Sequence, residues 1–272
     1  MAKKPRSFRT DAIILKHLDF GEADRILTLF TREKGKIRAI AKGVRKVRSR
    51  KGGHLEPFTH TSLLLATGRN LYLVTQAEAQ DIYPNLRDNL ESIGYASYAV
   101  ELVDRFSLDE EENAPIFFLL KNTFSRLNRG DPPALVIRYY EIRLLDVLGF
   151  RPELQTCVVT GKEIQPENQY FSAALGGVVS PDGVKEITGA VAVSVRALKY
   201  LRHFQRSSYK DATKANIAPE IANELEILMQ HYITYLLERG LNSPGFLRRL
   251  RREARSAEAP TAPAESDLDT QD

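Results

Sequence analysis

Over the first 80 residues the apolar positions fall in short runs rich in Ile, Leu, Val, Thr and Tyr, each closed by turn residues. The runs are Ala12–Leu18, Ile26–Thr31, Ile37–Lys42, Thr59–Thr67 and Asn70–Gln76. Phe20-Gly21-Glu22, Lys34-Gly35-Lys36, Lys42-Gly43, Gly52-Gly53 and Thr67-Gly68-Arg69-Asn70 punctuate them. Such runs are strands. Five strands in a segment this short bury a flat sheet poorly, and closure removes the exposed edges. The pattern predicts a small barrel of OB-fold or SH3-like type over residues 1–81.

Beyond Pro84 the period lengthens to that of helices. Leu86, Leu90, Ile93, Val100 and Val103 align on one face. Asn113 is a good N-cap with Pro115 in the first turn, and Gly130 ends that helix. A third helix follows Asp131-Pro132-Pro133, with Val136, Tyr139, Tyr140, Leu144, Val147 and Leu148 as its buried stripe and Gly149 at its C-terminal cap. Two more are expected, one from Ser194 and one from Pro219 to about Arg239. These stripes are core positions, so residues 82–151 and 185–255 read as two parts of one helical domain. Between them, residues 152–184 form an irregular insert rich in Gly and Pro, too short to hold itself together without a metal or a neighbour. Residues 256–272 carry five acidic and no basic side chains with one large aliphatic, Leu268, and are expected to be disordered. The fold class is α+β multidomain.

Composition changes this picture in one respect. The net charge of +4 is unevenly spread. Residues 1–54 hold 16 Lys/Arg against 5 Asp/Glu, and the remainder holds 23 against 30. A concentrated positive field suits a polyanion, with nucleic acid first and an anionic membrane surface second. No run of 18 apolar residues and no apolar segment behind the N-terminal charges is present, so neither a span nor a signal peptide is expected. The single cysteine, Cys157, excludes an intramolecular disulfide and suits the cytoplasm.

The densest chemistry lies in Lys42-Gly43-Val44-Arg45-Lys46-Val47-Arg48-Ser49-Arg50-Lys51, where six of ten residues are basic. It is expected to be a mobile loop at the barrel mouth that follows a phosphate backbone. Lys34, Lys36 and Arg38 could extend its patch. Such contacts give affinity without base readout. Phe20, Phe30, Phe58 and Tyr72 are the aromatics that could stack bases, and each could equally be core. A second basic cluster, Arg248, Arg249, Arg251, Arg252 and Arg255, follows the last expected helix and reads as a solvated helix end or a second nucleic-acid contact.

Catalytic machinery is not evident. Thr160-Gly161-Lys162-Glu163 lacks the glycine spacing and the hydroxyl of a phosphate loop. His17, His54, His60, His203 and His231 are dispersed, and the contiguous run Asp109-Glu110-Glu111-Glu112 reads as solvated rather than metal-binding. The expectation is a non-enzymatic protein without cofactors. A metal-dependent DNA-processing enzyme and an RNA-binding OB-fold protein are the alternatives.

The stretch from Phe20 to Lys36, followed by Ala41-Lys42-Gly43-Val44-Arg45-Lys46 and Leu55-Glu56-Pro57-Phe58, resembles the opening of the RecO family. Tyr140 to Leu154 running into Cys157, and Tyr170-Phe171-Ser172 with Gly176-Gly177-Val178, continue the resemblance. It implies an N-terminal OB-fold and a mostly helical C-terminal domain with a zinc-finger-like insert. It also implies binding of single- and double-stranded DNA, strand annealing, and action with RecR, with the C-terminal tail of single-strand-binding protein, and indirectly with RecF and RecA. The four zinc positions of the family correspond here to Cys157, Thr160, Ser180 and Gly183, so the insert is expected to be degenerate and metal-free. Near the end, Ser243 has Asn242 and Pro244 as neighbours, where the family often places a basic residue.

Overall fold

A computed structural model describes residues 6–238 and 240–258. Five strands, β1 (Ser7–Phe20), β2 (Asp24–Thr31), β3 (Gly35–Ala41), β4 (His60–Ala66) and β5 (Tyr72–Asp81), close into a barrel of order β1-β2-β3-β5-β4. All pairings are antiparallel except β3 with β5. The strand pattern thus resolves in favour of the OB-type barrel. Its interior is filled by Ile14, Leu27, Leu29, Ile37, Leu63, Leu65 and Val74.

The opposite face of β1 and β2 does different work. Ile13, Leu15 and Phe30 point out of the barrel and are buried in the core of the helical domain. A register shift between Ile14 and Lys16 re-aims the rest of β1. The two domains therefore share one apolar core. Arg87 adds polar ties across the junction, donating to the carbonyls of Ile82 and Pro57 and to the Thr59 hydroxyl.

The helical domain comprises α1 (Pro84–Asp88), α2 (Leu90–Phe106), α3 (Ala114–Arg129), α4 (Pro133–Val147), α5 (Val195–Arg206), α6 (Tyr209–Ala212), α7 (Pro219–Leu237) and α8 (Ser243–Glu258). Asn89, Asn113 and Ser194 cap α2, α3 and α5 with side-chain oxygens, and Gly130 ends α3 in the left-handed region. Three expectations are corrected. The first helix is two, because Asn89 turns extended to cap the second, and this leaves Leu90 exposed. The arginine cluster does not trail a final helix but lies within one, α8. That helix also contains Ser256–Glu258 of the expected tail; residues 259–272 lie outside the described residues.

The segment after α4 forms a small sheet, β7-β6-β8, from β6 (Gln169–Ser172), β7 (Gly177–Val179) and β8 (Val191–Val193). Leu154, Cys157, Phe171, Val178 and Val179 join the main core, and the Phe171 ring meets Tyr232 of α7 edge-on at 5.2 Å. A neighbouring helix supplies the core that the segment is too short to make.

A buried charge sits at the centre of the helices. Glu141 is fully buried, lies 2.9 Å from Arg138 and accepts from the Tyr98 hydroxyl at 2.7 Å. Burial pushes its carboxyl up to about 7 against the downward pull of Arg138 and Tyr98. The unfolded chain releases this proton near pH ~4.3. The folded value is the higher one, so the contribution is fully present below pH ~4.3 and is lost as pH rises through about 7. Glu141→Gln, compared with wild type by urea unfolding at intervals from pH 4 to 8, is expected to abolish the decline in stability over that window. A decline of equal size in both proteins would exclude Glu141 as its source.

Candidate nucleic-acid interface

The sequence expectation of a mobile loop at residues 42–51 is corrected by Val44. Its side chain is 4% exposed and belongs to the barrel core, as does Leu55 where the chain leaves the loop. The backbone is stitched to the β1–β2 turn: Arg45 N–H donates to the Ala23 carbonyl at 2.9 Å, and Gly43 N–H to Asp24 Oδ1 at 2.7 Å. Gly43 has φ +64°, a conformation that glycine adopts without cost. The loop is a plug for the barrel end. Its hydrophobic anchors are single residues within a charged run, too sparse to register as a periodic pattern.

The nine expected DNA contacts separate by environment. Lys36 is spoken for: its ammonium lies 3.4 Å from Asp109 and donates to the Asp104 carbonyl at 2.8 Å. Arg45 pairs with Asp19 at 3.3 Å, and Lys51 donates to the Val74 carbonyl at 3.2 Å. Lys34 stands over the Phe8 ring at 5.1 Å. Because β3 separates Lys34 from Lys42, the two lie at opposite ends of a strand about 20 Å long, and Lys34 does not extend the loop's patch. Arg38, Lys42, Lys46, Arg48 and Arg50 are exposed and have no side-chain ion pair or hydrogen bond among the described residues.

The structure adds a surface that the charge count missed. The pairings put Lys16, Thr28 and Arg38 in one row across β1, β2 and β3, and Leu18, Ile26 and Ile40 in the next. Leu18 is 66% exposed and Phe20, at the end of the same strand, 52%. Phe30 is buried, Phe58 packs against the core, and Tyr72 donates to Glu110 at 2.9 Å, so of the four candidate aromatics Phe20 is the one that stands open. The result is an apolar strip with Arg38 and Lys16 along one side and the loop cations at the barrel end. A concavity of about 470 Å³ lies against it, lined by Lys16, Leu18, Ile26, Thr28 and Arg38 and closed by Asp104 and Asp109. The face formed by strands 2 and 3 is where OB barrels take oligonucleotides. The readable signal was the alternation after the bulge: Lys16, Leu18 and Phe20 at period two share an outward face.

A second concavity, about 430 Å³, lies between α2, α4 and the start of α7, lined by Tyr95, Leu135, Ile217 and Leu225 with Arg138 in its wall.

The positions matched to zinc ligands do converge, but around sulfur. Cys157 Sγ accepts from the amides of Thr160 and Ser180 at 3.4 and 3.3 Å and from the Ser180 hydroxyl at 3.4 Å. At Gly183 a Cβ would lie 3.1 Å from that sulfur. Burial raises the thiol, but the Ser180 and Thr160 donors together outweigh it and bring it down to about 6. One thiolate ringed by donors does not fit a zinc ion, which needs four electron-pair donors, and no group of three or more His, Cys, Asp or Glu among the described residues could hold a metal. The protein dialysed against metal-free buffer is expected to retain only background zinc by elemental analysis, since one ligand cannot supply the ~10–16 kcal/mol of structural zinc sites. One zinc per chain would overturn this.

A family model described as Recombination protein O N terminal matches residues 4–83, and one described as Recombination protein O C terminal matches residues 87–244. The DNA repair protein RecO of Roseiflexus sp. (strain RS-1) is 41% identical over 256 residues, covering 93% of this chain and 89% of the relative. That of Dehalococcoides mccartyi (strain CBDB1) is 37% identical over 236 residues, 87% of this chain and 93% of the relative. That of Pelotomaculum thermopropionicum is 38% identical over 243 residues, 89% and 94%.

Proposed function

The chain belongs to the RecO family of DNA repair proteins, and from that premise we propose that it is a non-catalytic recombination mediator. It binds single- and double-stranded DNA without sequence preference and anneals complementary strands without nucleotide. With RecR and RecF it brings RecA onto DNA coated by single-strand-binding protein. Its place of work is the nucleoid, in the cytoplasm. The observation that carries this reading is the strip of Leu18, Ile26, Ile40 and Phe20 near Arg38, Lys42, Lys46 and Arg48, which have no ion pair among the described residues.

The division of labour follows from the side chains. Arg38, Lys42, Lys46 and Arg48 meet phosphates and release counterions, which gives affinity but no sequence information. Phe20 and the aliphatic strip accept the faces of unstacked bases, which a paired duplex does not offer. Annealing then follows from screening: cations around one strand reduce the repulsion its complement meets on approach.

Replacing Arg38, Lys42, Lys46 and Arg48 together with Ala is expected to lower the slope of log K against log salt for single-stranded DNA by about 3, at ~0.7 per contact. The loss should be alike for all base sequences. Phe20→Ala is expected to weaken single-strand binding by about 1–3 kcal/mol per stacked base and to spare duplex binding. Fluorescence anisotropy over a salt series checks both. An unchanged slope would move the interface off this face of the barrel.

The acidic, apolar-ended tail of single-strand-binding protein is a proposed partner of the helical domain, where apolar surface beside a basic rim would complement it. The concavity between α2, α4 and α7 is not that seat: Arg138 there is buried and paired with Glu141, and Glu91 and Glu226 line the same space. Isothermal titration with the cognate tail peptide is expected to give one site per chain. No heat at high micromolar peptide would count against this partner.

A further inference from the structure

On β3, Lys36, Arg38 and Ile40 alternate outward at period two. Ile40 lies in the open strip, and Arg38 lies in the row beside it. Lys36 is the next outward position of the same strand, about 7 Å beyond Arg38 at ~3.4 Å per residue. A nucleic-acid strand that follows this face meets Lys36 and Lys16 together, and neither is open to it. Asp104 Oδ2 lies 2.6 Å from the Lys16 ammonium, and Asp104 and Asp109 stand 3.7 and 3.4 Å from that of Lys36. These two carboxylates form the acidic wall of the 470 Å³ concavity on this face.

The helical domain supplies this wall, and its own local needs do not explain the placement. Asp104 lies in the last turn of α2, the end at which the helix dipole disfavours an acidic side chain. Lysines of the barrel hold its carboxylate instead. Asp109 belongs to the linker between α2 and α3, residues 107–113, which carries Asp109, Glu110, Glu111 and Glu112 in succession. Glu110 takes a φ of +59°, which residues with a side chain rarely adopt. The linker is nevertheless pinned to the barrel. Asp109 bridges to Lys36 as a neighbouring strand would, and the Glu110 N–H donates to the Lys36 carbonyl at 2.8 Å. The Glu110 carboxylate accepts from the Tyr72 hydroxyl at 2.9 Å, and the bare Cα of Gly35 lets the Glu111 carbonyl approach. An anionic segment is thus held against one end of a basic face that a phosphate backbone would follow.

We propose that Asp104 and Asp109 form an autoinhibitory contact: they occupy the phosphate positions at Lys16 and Lys36 and keep this end of the barrel face out of DNA binding. This rests on the barrel reading above and adds a control on its grip. The carboxylates also act beyond the two lysines they touch. Arg38 lies about 7 Å from Lys36, inside the screening length of ~8 Å at physiological salt, so they lower the positive potential there too. A protein that brings strands together must also release the product. A face that carries its own competing anions holds a strand less tightly than its cations alone would.

The test measures binding of single-stranded DNA by fluorescence anisotropy over a salt series, in the full chain and in Asp104→Asn/Asp109→Asn. Asparagine keeps the shape of each side chain, and thermal unfolding checks that the fold is retained. With Lys16 and Lys36 released, the variant should bind more tightly, and its slope of log K against log salt should steepen by about 1.4, two contacts at ~0.7 each. The Lys16→Ala/Lys36→Ala variant should keep the wild-type slope, because those cations are already taken. Adding the two Asn changes to that variant should not steepen it, since no cation remains to be released. An unchanged slope in the Asn variant overturns the autoinhibitory contact and leaves the barrel reading standing. A slope that falls in the Lys16→Ala/Lys36→Ala variant also overturns it, because the lysines would then already meet DNA. So does an equal steepening with and without the two lysines, which would make the carboxylates a source of general repulsion. No binding by the wild type at any salt overturns the barrel reading instead.

Discussion

A barrel strand has two faces, and here the outward face of β1 and β2 is divided between two uses. Ile13, Leu15 and Phe30 are buried among the helices, while Leu18 and Phe20 stand open to solvent. The register shift at Ile14–Lys16 makes the division. Everything else depends on this seam. The helical domain has no core of its own that excludes the barrel, and the open strip exists because the helices cover Ile13, Leu15 and Phe30 and leave Leu18 and Phe20 uncovered.

Electrostatics sharpens the same seam. The end of α2 and the segment that follows it lay acidic residues against the end of the barrel nearer Gly35. Asp104 takes Lys16, Asp104 and Asp109 share Lys36, and Glu110 takes the Tyr72 hydroxyl. Glu110 N–H also donates to the Lys36 carbonyl at 2.8 Å, and Gly35 has no side chain to obstruct the Glu111 carbonyl. A pair open to solvent, as Lys16–Asp104 is on its lysine side, contributes little to stability, at ~0–1 kcal/mol. The larger effect of these pairs is on the field: they neutralise one end of the basic face and leave the uncompensated charge near Phe20 and the 42–51 loop. A count of lysines and arginines treats these residues alike, although their neighbours make them unequal.

The insert shows packing and hydrogen bonds standing where a metal would cross-link. Ser180 and Thr160 donate to the sulfur of Cys157, and the bare Cα of Gly183 lets the chain close around it. Its apolar residues then join the helical core, which offsets the ordering entropy of a segment too short to do so alone.

The sequence by itself determined a small five-stranded barrel, the helices α3, α4, α5 and α7, the caps Asn113 and Ser194, and the non-uniform charge. These are written in local terms: period two or 3.6, Asn113 and Ser194 before helical runs, Gly130 after one, sixteen cations in the first 54 residues. The family resemblance was legible for the same reason, as contiguous stretches. What the tertiary structure decided is which side chains are free. Val44 converts a charged loop into a plug because it reaches the barrel interior. Lys36 is lost to the carbonyl of Asp104 and the carboxylate of Asp109, 68 and 73 residues away in the chain. Phe20 is set apart from Phe30 by a bulge, and the arginines of α8 gain a direction because Leu247 finds Gly94. Each outcome depends on a partner distant in sequence, and pairwise burial and ion pairing between distant segments leave no periodic mark on either one.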